Sequence, residues 1–293
     1  MELPRFVMLE KAVGQTPLQC MEAWRIESGT AANIPLTYAG RLDPMASGKL
    51  LVLVGEECKK KDDYLALDKT YDFSVLLGVG SDTHDVLGRL TTSGVDFLPT
   101  KEGKTWLSGP ERPDQGMKSL KEHLEQICQN LTGDIELPYP HFSSRTVQGK
   151  PLHMWTLEGR LNEIDIPTKK STIYSLKLNS VETLARDEVC NQARTKIDTI
   201  PEVTEENKSL GKDFRRVYVR QDWENIKKGQ NLNCATSDVA QLLPDEYTIA
   251  SFTCSASSGT YMRTLAKLIG ERLDPAVPSL AWSIHRTDIE SFT

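Results

Sequence analysis

No stretch of this 293-residue chain approaches the roughly 18–20 consecutive apolar residues needed to span a bilayer. The opening segment MELPRFVMLEKAVGQTP lacks the basic and apolar blocks of a secretory signal, and it is not an Arg/Ser-rich transit sequence. The expectation is therefore a cytoplasmic chain with no membrane contact. Cysteine is sparse and scattered: Cys20, Cys58, Cys128, Cys190, Cys234 and Cys254 form no C-x-x-C pair and have no His at ligand spacing. That argues for reduced structural thiols and against a zinc site. There is no phosphate-loop motif, no internal repeat and no low-complexity tract. A net charge of −6 argues against a protein that coats nucleic acid indiscriminately, although a local basic groove can sit on an acidic body.

What remains is an ordinary globular composition, 39% hydrophobic and 26% charged, on a chain long enough to bury a substantial core. LLVLVG at 50–55 reads as a buried strand, and KTYDFSVLLGVGSD at 69–82 as a second one closed by glycines. SLKEHLEQICQNLTGD at 119–134 lines up Leu120, Leu124, Ile127, Cys128 and Leu131 on one helical face that Gly133 ends. Further strands are expected at 171–181 and 247–254, followed by a helix at 260–273 with Met262, Leu265, Leu268 and Ile269 inward. The pattern predicts an α+β fold with long strands and few helices. Residues 91–117 and 184–246 interrupt it as two charged, weakly periodic additions within one domain, 1–293.

A single carboxylate, Asp43, sits in RLDPMASG between a Gly-rich turn and the apolar strand at 50–55. Alone, this reads equally well as a capping Asp with Pro at the first helical position and Gly48 closing one turn. Other segments add Tyr71 at the start of a strand, Asp82 and Asp85 on a Gly-punctuated loop, and Tyr261 with Arg263 at the entry to a helix. PYPHFSSRTVQGKPLH adds an extended run of prolines, aromatics and basic residues. Each of these is weak alone, since a strand Tyr is usually core and an Arg on a first turn usually faces solvent.

Together and in this order, the blocks resemble the TruB family of pseudouridine synthases over most of the chain. LEKAVGQTP matches the family's N-terminal segment, YAGRLDPMASGKLLVLVGE the block holding its catalytic aspartate, and DKTYDFSVLLGVGSDTHDVLG the next. FSSRTVQGKPLH resembles the segment that closes over RNA, SSGTYMRTLAKLIGE the Arg-bearing block, and SIHRTDIESF the C-terminal end. The resemblance implies a pseudouridine synthase catalytic fold, a long mixed or antiparallel sheet flanked by helices. It implies conversion of uridine to pseudouridine, with the T-loop uridine (position 55) of tRNA as the commonest family target. Because the reaction is an isomerisation, no cofactor and no metal is required.

By the same resemblance Asp43 takes the place of the nucleophile, Tyr71 lies against the flipped base, and Arg263 partners Asp43 with Asp85 behind it. An ionised carboxylate in a dry pocket needs such a guanidinium, because burial alone would raise its pKa. Tyr261 and Ile284 would form other walls, with Tyr38, Lys11, Arg145 and Lys150 completing the expected substrate contacts. Tyr38 stands where the family commonly has His, Thr146 where Lys is usual, and Ile284 where Leu is usual. No C-terminal PUA module is expected. The partner expected is the T-arm of tRNA, bound by a monomer. The alternatives are an RNA-binding or tRNA-folding protein of the same fold with weak or no catalysis, and a synthase acting on mRNA or rRNA.

Overall fold

The computed structural model describes residues 3–92, 119–201, 215–230, 232, 243–274 and 276–290. Within them β1 (Phe6–Lys11) leads to α1 (Pro17–Glu27), β2 (Leu36–Ala39), β3 (Ser47–Val54), α2 (Lys61–Leu65), β4 (Lys69–Leu77), β5 (Val79–Ser81) and β6 (Leu90–Thr92). Then come α3 (Leu120–Leu131), β7 (Gly133–Pro138), the small hairpin β8 (Thr146–Val147) and β9 (Lys150–Pro151), and α4 (Leu152–Leu157). The chain continues through β10 (Thr168–Ala185), α5 (Arg186–Thr199), α6 (Arg216–Lys227), β11 (Glu246–Ala256), α7 (Met262–Glu271) and β12 (Ser279–Ile289). The strand expected over 69–82 is two, β4 and β5, broken at Gly78, which adopts φ 93°.

One eight-stranded sheet organises the molecule in the order β1-β3-β12-β4-β11-β10-β7, with β2 paired on β3. All its pairings are antiparallel except a short parallel contact of β12 with β3. The fold is thus α+β with a mixed sheet. The continuous apolar run of β3 follows from its burial on both faces. Leu50 and Val52 pack under α1 with Cys20 and Met21, while Leu51 and Leu53 pack on the other side with Tyr64 of α2. The main core gathers β4, β11 and β12 against α3, α5, α6 and α7, around Phe73, Phe252, Trp223 and Leu265.

Seven α-helices are present among the described residues, more than the sequence pattern predicts. The capping signals of α1 are nonetheless explicit: Thr16 accepts from the Gln19 amide, the Gln19 side chain answers the Thr16 amide, and Pro17 opens the first turn. Within 184–246 lie α5 and α6, whose inner faces (Val189, Cys190, Ala193, Ile197; Val219, Trp223, Ile226) are buried in the main core. Residues 93–118, which hold nearly all of the 91–117 addition, lie outside the described residues. No helix is long and apolar enough to cross a membrane among the described residues.

Candidate active site

Asp43 lies in a tight turn rather than at a helix cap. The Ala46 amide donates to the Asp43 carbonyl at 3.0 Å, and the chain then enters β3 at Ser47. Gly48 does not close a helical turn: it sits inside β3 at φ 105°, where an added Cβ would collide with the Arg286 backbone. That close approach brings β12 alongside β3 and fixes the direction in which the Asp43 turn projects. The carboxylate, 37% exposed, opens into a cavity of about 780 Å³.

Arg263 meets it there. Its Nε donates to Asp43 Oδ2 at 2.8 Å, and Asp85 Oδ2 lies 3.8 Å from the same nitrogen. The rest of the guanidinium is spent on two backbone carbonyls, Thr83 at 2.8 Å and Phe142 at 3.2 Å. The side chain is 5% exposed, so Arg263 is not a solvated residue on the first turn of α7. Burial alone would lower its pKa, but the Asp43 and Asp85 carboxylates outweigh it and raise the value. Asp85 is itself buried, and desolvation raises its carboxyl pKa against the opposing pull of Arg263. It accepts from Thr83 Oγ1 at 2.6 Å and from the Leu87 amide at 3.0 Å, so it shapes the loop behind Arg263 and does not line the cavity. The adjacent His84, a non-glycine residue at φ 60°, turns the chain so that its carbonyl can take the Ala281 amide at 2.9 Å.

Tyr71, Tyr261 and Ile284 all line the cavity. Tyr71 on β4 stands directly across from Arg286 on β12, and Ile284 across from Phe73. Burial pushes the Tyr71 phenol above its usual range, with Arg286 pulling it back down through charge and a hydrogen bond. Tyr261 packs edge-on to Tyr139, ring centroids 5.7 Å apart, and burial raises its phenol too.

Two cations on this floor were not singled out from the sequence. Arg286, 1% exposed, donates through Nε to the Lys49 carbonyl at 2.7 Å and through Nη2 to the Gly40 carbonyl at 3.1 Å. Lys69, 5% exposed, donates to the Leu65 and Leu67 carbonyls, and burial lowers its pKa to about 8 with Arg286 adding to the effect. Both face the cavity. The available signal was two-residue spacing on one strand face, which puts Lys69 with Tyr71 and Phe73, and Arg286 with Ile284.

The remaining expected contacts lie away from the cavity. Tyr38 on β2 packs beside the Cys20, Met21, Leu50 and Val52 cluster, with the Lys61 ammonium 5.5 Å from its ring. Lys11 is fully buried and spends its ammonium on the Ala12 and Gln15 carbonyls at 2.9 and 2.7 Å, so it is a structural cation rather than one turned to a ligand. Burial lowers its pKa to about 8. Arg145 lies over Tyr139 at 5.1 Å, and Lys150 pairs with Glu158 at 2.7 Å while covering the Trp155 ring at 4.2 Å. Arg145 precedes β8 and Lys150 opens β9, and neither lines the cavity.

Residues 35–107 match the family model described as TruB family pseudouridylate synthase (N terminal domain). The chain is TruB-like. It is 28% identical over 172 residues to tRNA pseudouridine synthase B of Caldicellulosiruptor saccharolyticus, covering 59% of this chain and 50% of that protein. It is 26% identical over 283 residues to tRNA pseudouridine synthase 4 of Saccharomyces cerevisiae, covering 89% of this chain and 65% of that one. This TruB-like chain therefore spans about half to two thirds of the length of these relatives. Among solved structures a Cbf5-Nop10-Gar1 complex aligns with it at a TM-score of 0.49 and 12% identity, over 97% of this chain and 48% of that one.

Proposed function

We propose that this TruB-like protein isomerises uridine to pseudouridine in RNA, with the T-loop uridine of tRNA as its substrate. The observation that carries the reading is the 2.8 Å bond from the buried Arg263 to Asp43 at the wall of the cavity. A carboxylate paired with a guanidinium that two carbonyls and a second carboxylate hold in place is a nucleophile fixed in position at the cavity wall. A protein that only bound RNA would have no use for it.

In the reaction the C1′–N1 bond breaks, the base turns, and a C5–C1′ bond forms, while C5 loses a proton and N1 gains one. Asp43 acts on the ribose or the base as nucleophile or base. A base buried in folded RNA reaches the cavity only if flipped out of its stack, and the flat faces of Tyr71 and Tyr261 with the apolar Ile284 suit such a base. The Tyr71 hydroxyl lies against the base near C5, where a proton must finally leave, with the Arg286 guanidinium hydrogen-bonded beside it. Arg145 and Lys150, outside the cavity, supply phosphate contacts. The described residues act as one catalytic unit in this reading.

The test is Asp43→Asn on a T-arm stem-loop, following pseudouridine by mass spectrometry and affinity by filter binding. Asn matches Asp in shape, so turnover should vanish while RNA affinity stays within a few fold, phosphate contacts supplying most of it. An Asn variant turning over near the parent rate removes Asp43 from the chemistry.

A further inference from the structure

Helix α6 belongs to the 184–246 region, far in sequence from Asp43, yet it packs on the loop that holds Arg263. Arg89 makes a two-pronged pair with Asp222, Nε to Oδ2 at 2.7 Å and Nη2 to Oδ1 at 3.1 Å, and the Leu90 amide donates to the same carboxylate at 3.1 Å. Trp223 Nε1 reaches the Val86 carbonyl at 3.4 Å. At the N-terminal end of α6, Arg215 enters the cavity itself. Its Nη2 pairs with Asp82, and its guanidinium lies over the Phe142 ring at 4.3 Å.

Those two partners matter because of their neighbours. Arg263 is aimed at Asp43 by the carbonyls of Thr83 and Phe142. Thr83 follows Asp82 in the chain. The Phe142 ring and the Phe142 carbonyl belong to one residue. Arg215 therefore ties together, from outside, the same two segments whose carbonyls grip Arg263 from inside. A planar guanidinium suits this task, since one edge can pair with a carboxylate while the face covers an aromatic ring. At 18% side-chain exposure and with Asp82 neutralising it, Arg215 is poorly disposed to take a phosphate.

We propose that Arg215 is a positioning residue of the TruB-like site: it staples the loop at Asp82 to the segment at Phe142 and so holds the two carbonyls that orient Arg263. The inference rests on the pseudouridine synthase reading for its catalytic readout, but the staple itself has a readout that needs no activity.

The experiment uses the full chain with Arg215→Ala, Arg215→Lys, Phe142→Leu and the Arg215→Ala/Phe142→Leu double variant. Hydrogen exchange by mass spectrometry reads the amides of residues 139–147, and single-turnover pseudouridine formation with RNA affinity is measured on the T-arm stem-loop. Arg215→Ala should speed exchange in that segment about tenfold and slow the single-turnover rate at least about tenfold, with affinity within about threefold. Lys keeps the pair with Asp82 but loses the flat face, so it should fall between parent and Ala. Phe142→Leu removes the staple from its other end without touching α6, and should reproduce the Ala effect with no further loss in the double variant. A loss of affinity larger than the loss of rate makes Arg215 an RNA contact and overturns the proposal. So does a slowed rate with unchanged exchange, or no change in either. If the parent chain makes no pseudouridine, the functional reading fails, and the exchange data alone decide the staple.

Discussion

The two sides of the cavity are built in opposite ways. The Asp43 side hangs on the sheet: β3, β4 and β12 meet there, and Leu50, Leu53, Leu76 and Leu77 behind it are fully excluded from solvent. Its buried cations are tied to backbone carbonyls, Arg286 to those of Lys49 and Gly40 and Lys69 to those of Leu65 and Leu67. The opposite side, residues 139–153, is carried by the two-residue strands β8 and β9 and a small cluster around Leu152 and Trp155. Residues 144–146 and 148–149 at its tip are exposed. In the proposed reaction the groups that tolerate little displacement would sit on the sheet, while the RNA would enter past a light hairpin.

The sharpest way to break that contrast is to strike the sheet side where it has no slack. Gly48→Val places a β-branched side chain at φ 105° against the Arg286 backbone. Strain and forced separation of β3 from β12 should cost about 3 kcal/mol or more in chemical denaturation, and the cavity should lose function with it. A loss under about 1 kcal/mol would mean that the β3–β12 contact is as pliable as the hairpin.

Arg263→Lys tests the junction between the two sides, because this residue bonds to both Asp43 and the Phe142 carbonyl. Lysine keeps the charge but cannot hold Asp43, Thr83 and Phe142 together from one plane. The single-turnover rate should fall at least about tenfold, roughly 1.4 kcal/mol of barrier, with little change in RNA affinity. Parent-like rates would show that charge alone suffices.

The smallest effect belongs to the hairpin. Lys150→Ala removes a half-exposed pair with Glu158 and should change unfolding free energy by less than about 0.5 kcal/mol. RNA affinity should weaken a few fold, with the slope of its logarithm against log salt shallower by about one. A stability loss matching that of Gly48→Val would erase the distinction between the two walls.

Much of the sheet was legible because its strands carry their burial in their composition: LLVLV reads as a buried strand, and β4, β10 and β11 cover the strand expectations at 69–82, 171–181 and 247–254. Helices α3 and α7 were legible by their spacing, and the pairing of Asp43 with Arg263 by family resemblance. What escaped depends on register between distant segments. No local pattern says that Arg286 will stand opposite Tyr71, or that Gly48 must yield to the Arg286 backbone. The turn at Asp43 was ambiguous because Asp-Pro serves a helix cap and a turn equally well. Lys11, taken with the substrate contacts, is instead sealed inside, since an ammonium surrounded by carbonyls is indistinguishable in sequence from an exposed one. Helix α1 escaped because few of its residues are buried, though Thr16, Pro17 and Gln19 announced its start.

The position of β12 has a temporal consequence. In the sheet it lies between β3, which presents Asp43, and β4, which presents Tyr71, although it comes more than two hundred residues after both of them begin to differ from coil. As a ribosome delivers the chain, the first half emerges with Asp43 beside β3 and Tyr71 on β4, strands that do not pair with each other. Only when residues 279–289 are released can they slot between the two and create the floor of the cavity. Such late, long-range closure is slow compared with local pairing. A partly synthesised chain thus carries the side chains of the cavity without their arrangement, and the cavity exists only once β12 has arrived.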